Sequence, residues 1–402
     1  MTSLPPSLQR WATQTVPERA LLAGGLVLGV ILRIVQLGTS IGSVDAYFWT
    51  RHLEFVEKFG VLRAYHVSTV INHPPFGLGV ALWTKRLGTM LGLQFFDSFR
   101  ILQSTADLVS AFALIALARR IGQETKVWVA LFFFLSPAAI FISAFHCNSD
   151  SLMVMFIVLA VFCAVEQRPI LAGLLIGAAC GIKIIAFVAL PLLLFGFRGW
   201  RARLQFLVTA ALVGALIFVP PVVATGWVAI RNIFGYTGWR GGWGFPLVIG
   251  ILGFAFPTLV PEDRGALMTP LLIVALLSLW AVEAWRALRR HEVDPNRLPH
   301  VTGLAFLIVL FLAPGFGVQY LVWPLPFLPF LLRRRGALVV NGAMSIFAFW
   351  LYTSWAQGWP WVYADGVNRS PLPGMFGLVT WGAIAWAAIS SWRSLYGRPP
   401  AA

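Results

Sequence analysis

The chain has 402 residues, of which 59% are hydrophobic and 11% are charged, and its mean hydropathy is +0.80. Soluble domains carry about one quarter charged residues, so this composition excludes a soluble globular protein and indicates a chain that crosses a membrane many times. The formal net charge is +15, but the cations lie in short segments between apolar runs and form no basic domain, which excludes nucleic acid as a partner.

The apolar runs predict an all-α polytopic membrane protein with about twelve transmembrane helices (11–13), folded as a single integral-membrane domain over residues 1–402. A spanning helix needs roughly 20 apolar residues. Ten spans are single runs, at 20–38, 101–118, 127–144, 150–165, 204–224, 267–286, 300–313, 320–332, 337–355 and 372–392. Two more are predicted within 168–197, as short helices that meet near one membrane face, since Lys183 at mid-bilayer would be costly.

The positions of Lys and Arg predict the orientation of these spans. With both termini cytoplasmic, 18 of the 30 cations fall in short cytoplasmic loops or tails, as the positive-inside rule requires. The runs at 76–92 and 246–260 do not fit as spans, because counting them places Arg119 and Arg120 outside. We therefore expect both runs to lie on the outer surface or to re-enter it.

This orientation predicts two large extracytoplasmic loops, at 39–100 and 225–265, with interfacial helices in the first. The cytoplasmic loops are too short for a nucleotide-binding domain, and the chain has neither a P-loop nor a dinucleotide fingerprint. Any chemistry is therefore expected at the outer face.

Two isolated carboxylates lie on that face. Asp45, in "IGSVDAYFW", is either a helix cap or interfacial anion, or a general base that accepts a hydroxyl proton. Asp150, in "FHCNSDSLM", resembles the N-cap of the following span and can also have a functional role. The two carboxylates together would offer oxygen ligands to a divalent cation such as Mg²⁺ or Mn²⁺.

Two basic side chains accompany the carboxylates. His73, in "INHPPFGLG", either begins an interfacial helix or contacts an anionic headgroup, held in place by stiff prolines. Lys183 lies in a long apolar stretch and needs an anionic partner or a wet cavity. A structural pair with Asp107 or Asp150 is the alternative to a functional role.

Two later motifs complete the outer polar residues. Arg240 lies in "GYTGWRGGWGF", which is typical either of an interfacial aromatic belt or of bidentate phosphate contact. Gln319 and Tyr320 lie in "APGFGVQYLVWPLPF", at the outer start of a short span interrupted by proline. A plain helix boundary with belt aromatics explains this pair equally well.

Taken in order, these motifs resemble the GT-C superfamily of integral-membrane glycosyltransferases, which use polyprenyl-phosphate sugars such as dolichyl-phosphate mannose or glucose. "HPPF" and "FHCNSD" look most like the glucosyltransferases that extend lipid-linked oligosaccharides. The matching features are Asp45, "HPPFGLG" (73–79), the H-x-N-S-D turn (146–150), G-x-x-x-G-x-K (177–183), the Trp/Gly-rich loop (235–244) and "QYLVWPLP" (319–326).

The resemblance implies a GT-C fold and an inverting hexose transfer from a polyprenyl-phosphate donor to a glycan, lipid or polypeptide acceptor. The site would face outward from the cell inner or plasma membrane. The roles it implies are a catalytic base (Asp45), contacts to the donor phosphate (Lys183, Arg240 and His73), and positioning of acceptor or donor, or of a metal (Asp150, His146, Gln319 and Tyr320).

The chain departs from some relatives of that superfamily. No paired acidic motif stands beside Asp45, Asp150 is not part of D-x-D, and the large C-terminal soluble domain of oligosaccharyltransferases is missing, which argues against transfer to a protein sequon. The alternative is a secondary transporter or lipid flippase. Such transporters usually contain repeated halves with matched broken helices, and no repeat is detected here.

Overall fold

The structure is a computed structural model, and it describes residues 16–40, 42–123, 125–236, 238–240, 243–255, 268–289, 293–355 and 372–397. The regular secondary structure of this part of the chain is helical except for one pair of two-residue strands, which confirms the predicted all-α class. The helices are α1 Val16–Thr39, α2 Val44–Phe59, α3 Ala64–Val67, α4 Pro75–Met90, α5 Phe95–Arg120, α6 Lys126–Phe134, α7 Pro137–Ala144, α8 Asp150–Val165, α9 Pro169–Ile182, α10 Leu190–Phe195, α11 Trp200–Thr225, α12 Val228–Phe234, α13 Gly244–Ala255, α14 Met268–Arg289, α15 Leu298–Leu312, α16 Leu328–Leu331, α17 Arg334–Trp355 and α18 Leu372–Tyr396.

Short 3₁₀ helices and two strands link some of these helices. The 3₁₀ helices are Ile184–Val188, Pro295–Arg297, Val318–Val322 and Leu325–Phe327. The strands β1 (Trp239–Arg240) and β2 (Gly315–Phe316) pair antiparallel.

Several described helices are long and apolar enough to cross a membrane. Seven meet this criterion, or eight if α6 and α7, which are bent by 50° at Pro137, count as one span. The other predicted runs correspond to shorter apolar segments, Asp150–Val165, Pro169–Ile182, Ile184–Phe195 and Val318–Leu331. The chain is therefore a multi-pass membrane protein, and the count of twelve stays a prediction.

The two apolar runs assigned to the outer surface form helices as well. α4 has 16 residues, so it is about 24 Å long at 1.5 Å per residue, which is less than the roughly 30 Å hydrocarbon core. α13 has 12 residues, and residues 256–260 of the second run lie outside the described part of the chain. Their position on the membrane surface stays a prediction.

The described core divides into a large cluster and a smaller one beside it. The large cluster joins apolar faces of α5, α8, α9 and α15, and the smaller one packs α2 and α4 against α5 around Trp49, Leu53 and Phe99. In contrast, Leu216 and Val223 on α11 are 77% and 81% exposed. Exposed apolar side chains on a helix of this length indicate a face that meets lipid.

The predicted break at Lys183 is confirmed. α9 ends at Ile182, the backbone of Lys183 is extended with φ −146° and ψ 133°, and a 3₁₀ helix follows. Helix α4 packs closely against this break. A Cβ added to Gly77 would lie 3.2 Å from the carbonyl oxygen of Ile182, and one added to Gly181 would lie 3.0 Å from Cβ of Phe76. The two glycines therefore hold the first outer loop against the segment that carries Lys183.

A buried ion pair between α1 and α5 was not predicted. Arg33 Nη2 lies 2.7 Å from Asp107 Oδ2, and the two side chains are 3% and 0% exposed. Asp107 is thus the partner of Arg33, and its proposed pairing with Lys183 is wrong. The physical reason is that α1 brings a guanidinium to Asp107 inside the helix bundle.

Candidate active site

A cavity of about 370 Å³ brings together residues from distant parts of the sequence. Five of the eight predicted site residues line it, namely Asp45, His73, Lys183, Gln319 and Tyr320. A second cavity of about 150 Å³ is lined by His146 and shares Asp45, Tyr236 and Gln319 with the first. Asp45 therefore lies where the two cavities adjoin.

Asp45 is held at the start of α2 by its neighbours. Its backbone N–H donates to Ser43 Oγ at 3.2 Å, so Ser43 is the N-cap and the cap role considered for Asp45 is wrong. The Asp45 carboxylate faces the turn after α7 instead. Oδ2 accepts a hydrogen bond from Asn148 Nδ2 at 2.5 Å and lies 3.2 Å from His146 Nε2.

The electrostatic surroundings of Asp45 keep it ionised. Burial raises the pKa of this carboxyl, but His146, then Lys183, together with hydrogen bonds from His146 and Asn148, outweigh burial and lower the pKa below its ordinary value. A carboxylate that is ionised at neutral pH and borders a cavity can accept a proton there.

The turn that meets Asp45 has an unusual backbone. Cys147 has φ +62°, a left-handed conformation that few residues other than glycine adopt. Ser43 fastens the turn, because its hydroxyl donates to the carbonyl oxygen of His146 at 2.5 Å. As a result, His146 and Asn148 both lie against Asp45.

Asp150 and Lys183 form a buried ion pair, with Lys183 Nζ 2.6 Å from Asp150 Oδ2. Asp150 Oδ1 accepts a hydrogen bond from Trp323 Nε1 at 2.7 Å. Asp150 is the first residue of α8, after Ser149 at the N-cap position, so its expected role as N-cap is wrong. The Lys183 ammonium neutralises the charge of this buried carboxylate, and the Trp323 indole donates a hydrogen bond to it.

The Lys183 ammonium retains capacity for a ligand. Its side chain is 12% exposed and lines the larger cavity, and its Nζ lies 5.6 Å from the ring centroid of Tyr320. An ammonium has three N–H donors, of which the described bond to Asp150 uses one. The pairing with Asp150 and a contact to an anion in the cavity are therefore compatible.

His73 lies within an aromatic group on the cavity wall. Its ring stacks on Trp49 with centroids 4.2 Å apart, and its carbonyl oxygen accepts a hydrogen bond from the Tyr65 hydroxyl at 2.5 Å. Burial, then the charges of Lys183 and His52, hold the pKa of His73 well below its ordinary value. His73 is therefore a neutral imidazole, and a phosphate contact from it would be a hydrogen bond without an ion pair.

The Trp/Gly-rich loop docks on the motif that contains Gln319 and Tyr320. In the β1–β2 pair, Arg240 is opposite Gly315, which lines the larger cavity. The structure describes the backbone of Arg240 and not its side chain. Gly238 has φ +75°, and a Cβ there would meet the Tyr320 hydroxyl at 3.1 Å, so this close approach requires glycine.

The expected Mg²⁺ or Mn²⁺ site finds little support in the donor set. Both oxygens of Asp150 already accept hydrogen bonds, and Oδ2 of Asp45 faces Asn148 and His146. Within the described ranges, no group of three or more His, Cys, Asp or Glu residues is arranged to hold a metal ion. The residues present do not fit such an ion, and its involvement stays untested.

Most of the other residues that line the cavity were not predicted as members of the site, and they include Trp49, His52, Asn148 and Trp323. Asn148 lies in the H-x-N-S-D turn, of which only His146 and Asp150 were predicted as site residues. Trp49 and His52 follow Asp45 by four and seven residues, which is the spacing of one helix face, and this periodicity could have revealed them.

The chain is similar to known mannosyltransferases. Residues 75–197 match the family model described as alpha-(1->6)-mannopyranosyltransferase, N-terminal domain. A curated relative is the polyprenol-phosphate-mannose-dependent alpha-(1-2)-phosphatidylinositol pentamannoside mannosyltransferase of Mycolicibacterium smegmatis. It is 27% identical over 325 residues, which cover 72% of this chain and 68% of the relative.

Two solved structures are similar at 14% identity. The first is ArnT from Cupriavidus metallidurans bound to undecaprenyl phosphate, with a TM-score of 0.49 over 94% of this chain and 78% of that one. The second is the Archaeoglobus fulgidus oligosaccharyltransferase tethered with an acceptor peptide, with a TM-score of 0.47 over 96% of this chain and 56% of that one.

The sequence matches name mannosyltransferases, so the particular likeness to glucosyltransferases stays a prediction. The family match and the curated relative confirm the resemblance to the GT-C glycosyltransferases and the expectation that the chain is a membrane-bound glycosyltransferase.

Proposed function

We propose that the chain is an inverting hexosyltransferase that moves a hexose from a polyprenyl-phosphate donor to a lipid-linked glycan or another acceptor at the extracytoplasmic face. The observation that carries this proposal is the ionised Asp45 where two cavities adjoin, with Lys183 on the larger one. Mannose is the first hexose to test, because the matched relatives are mannosyltransferases.

In the proposed reaction, the acceptor hydroxyl gives its proton to the Asp45 carboxylate while its oxygen attacks the anomeric carbon from the side opposite phosphate. The bond between the anomeric carbon and the phosphate oxygen breaks, and its electron pair stays with that oxygen. The configuration inverts, and the products are the glycosylated acceptor and polyprenyl phosphate.

The chain supplies groups for the charge that develops on the leaving phosphate. Lys183 offers its remaining N–H donors, and preorganised cations at a developing anion are among the largest contributions to catalysis. Neutral His73 offers a hydrogen bond, and the backbone of Arg240 lies beside cavity-lining Gly315. Asp150 positions Lys183.

The acceptor would enter the smaller cavity. His146 lines it and contacts Asp45, and Gln319 borders both cavities. Tyr320 lines the larger cavity and stacks on Trp323 with centroids 4.2 Å apart, so it shapes the donor side.

The experiment that tests this function is hexose transfer in membranes supplied with labelled polyprenyl-phosphate mannose. Asp45→Asn keeps the shape of the side chain and removes its basicity, so we expect turnover to fall about 10²- to 10⁴-fold. Glu54→Gln on the same helix is the matched control, since its side chain is 59% exposed and we expect no change. Full activity of Asp45→Asn would remove Asp45 from the role of base.

The same assay separates an enzyme from a transporter. Uptake of a labelled solute by proteoliposomes that contain no prenyl lipid, without hexose transfer when the donor is supplied, would contradict the proposal. It would favour the secondary transporter or lipid flippase.

The proposal includes a cell inner or plasma membrane location, cytoplasmic termini and an outward-facing site, and the distribution of Lys and Arg supports it. The three native cysteines are buried, so a cysteine at exposed His66 gives a specific reporter. We expect His66→Cys to react with a membrane-impermeant maleimide in intact cells. Reaction only after the cells are opened would place the first loop inside and reverse the topology.

A further inference from the structure

The helix face that carries Asp45 continues into the larger cavity. Trp49 and His52 follow Asp45 at the i+4 and i+7 positions of α2, so all three lie on one face, and all three line the cavity. At 1.5 Å per residue, His52 is about 10 Å beyond Asp45 along the helix axis. The cavity wall beyond the base is therefore formed by an indole and an imidazole.

These two side chains have unfilled hydrogen-bonding capacity. Trp49 and His52 are 1% and 5% exposed, and Trp49 Nε1, His52 Nδ1 and His52 Nε2 have no hydrogen-bond partner in the described part of the chain. Buried polar groups in proteins are almost always paired, because an unpartnered donor or acceptor loses its bonds to water. Three such atoms on adjacent turns at a cavity wall indicate a ligand that supplies the partners.

The chemistry of these groups selects the class of ligand. Burial lowers the pKa of His52 to about 4, so its ring is neutral and offers one donor and one acceptor. The indole of Trp49 adds a donor. His73 stacks on one face of the Trp49 ring, with centroids 4.2 Å apart. A ligand can therefore reach the edge of the indole, which carries the N–H, but not that face. Two donors and one acceptor without charge suit vicinal hydroxyls better than a phosphate.

We propose that Trp49 and His52 bind the hexose of the lipid-linked donor through hydroxyls on the side of the ring remote from the anomeric carbon. This assignment rests on the proposed function, because the anomeric carbon then lies toward Asp45 and the far hydroxyls toward His52. The two residues determine which hexose is accepted, since a site built to bond a hydroxyl rejects a sugar that lacks it.

The test compares complete and deoxygenated donors. With polyprenyl-phosphate mannose and its 2-, 3-, 4- and 6-deoxy analogues, wild-type protein discriminates against the analogue that lacks the bonded hydroxyl. We expect His52→Phe to lower kcat/KM for the complete donor about 10- to 100-fold and to abolish the discrimination at one hydroxyl. Trp49→Phe keeps an aromatic ring against His73, and it should abolish the discrimination at a neighbouring hydroxyl.

Two controls separate sugar recognition from folding. His66→Phe changes an exposed histidine of the same loop that does not line the cavity, and we expect wild-type discrimination. Binding of sugar-free polyprenyl phosphate, measured by native mass spectrometry, should be the same for His52→Phe and wild type. Binding of the hexose-bearing donor should be weakened in the variant.

Two outcomes would overturn the assignment. One is unchanged discrimination against every deoxy donor in His52→Phe. The other is an equal loss of affinity for the sugar-free and hexose-bearing lipids, which would indicate a headgroup or structural role. A wild-type protein that binds the hexose-bearing donor through His52 and transfers nothing would contradict the proposed function and leave this assignment standing.

Discussion

Buried polar side chains in this protein differ in how many of their hydrogen-bond donors and acceptors have a partner within the protein. Arg33, between α1 and α5, donates from all three guanidinium nitrogens, to Ser143, Gly29, Phe134 and Asp107. Lys183 makes one described hydrogen bond, and His52 makes none. The Arg33 guanidinium donates from every nitrogen without a ligand, whereas Lys183 and His52 line a cavity and retain hydrogen-bonding capacity. Burial alone does not indicate function, but burial with unfilled hydrogen-bonding capacity at the wall of a cavity does.

The largest expected effect comes from breaking the completed pair. Arg33→Met leaves Asp107 as an uncompensated buried charge, which typically costs about 3–5 kcal/mol of folding free energy. We expect a strongly reduced Tm in detergent and unchanged turnover per folded molecule. Arg33→Met with Asp107→Leu should recover most of the stability, and Arg51→Met, at an exposed pair, should change little. Lost turnover in a stable double variant would assign this pair a functional role.

The next effect concerns the ion pair at the cavity. Lys183→Met removes the cation for the leaving phosphate, and we expect turnover to fall about 10²- to 10³-fold, the range seen when one preorganised donor is removed. Lys183→Arg keeps the charge and should retain more activity. The measurement is transfer per folded molecule, with folding checked by monodispersity. A Lys183→Met protein that is less stable but fully active would show that the Lys183–Asp150 pair is structural, like Arg33–Asp107.

A smaller effect concerns His52 and pH. Its folded-state pKa of about 4 is below the ordinary 6.5, so between these values the unfolded chain binds a proton that the folded chain does not. Stability is therefore lost as pH falls from 7 to 5, by about 2 kcal/mol from this group. We expect Tm to fall less over this range in His52→Phe than in wild type. Parallel Tm curves would show that His52 is not buried as a neutral ring.

The smallest effect is expected from loosening the hold on Lys183. Asp150→Asn keeps an oxygen for Trp323 and removes the charge partner of Lys183. We expect KM for the donor to rise about 10-fold with a smaller change in kcat, because the ammonium is still present but less well positioned. Adding or chelating Mg²⁺ or Mn²⁺ should not change the difference in KM between Asp150→Asn and wild type. A metal-dependent difference between wild type and variant would indicate that Asp150 is a ligand.

Much of the membrane architecture could be predicted because hydrocarbon thickness imposes a length on apolar runs. Lys183 also indicated the break between α9 and the following 3₁₀ helix, since a charge at mid-bilayer would be costly. The ion pair of Arg33 could not be predicted, because a single cation inside an apolar run does not indicate which carboxylate it contacts. That carboxylate, Asp107, lies 74 positions later in the sequence.

The site was harder to predict than the helices. Asp45 and Asp150 both resembled N-cap residues, yet the N-cap positions are occupied by Ser43 and Ser149. The N-cap position depends on backbone dihedrals, which composition does not reveal. Trp49 and His52 were not predicted, and only the fold shows that they line the cavity wall. Cavities form between helices distant in sequence, so periodicity can nominate a helix face but not what lies opposite it.

The contact between Gly77 and Ile182 limits how this enzyme can be engineered. A side chain at position 77 would force the Ile182 carbonyl to move by a few tenths of an ångström, and Lys183 is the next residue in the chain. A shift of the loop that forms the rim of the cavity would therefore also shift Lys183 inside it. Grafting a different first outer loop onto this scaffold would need a glycine at this position to keep the cation in register.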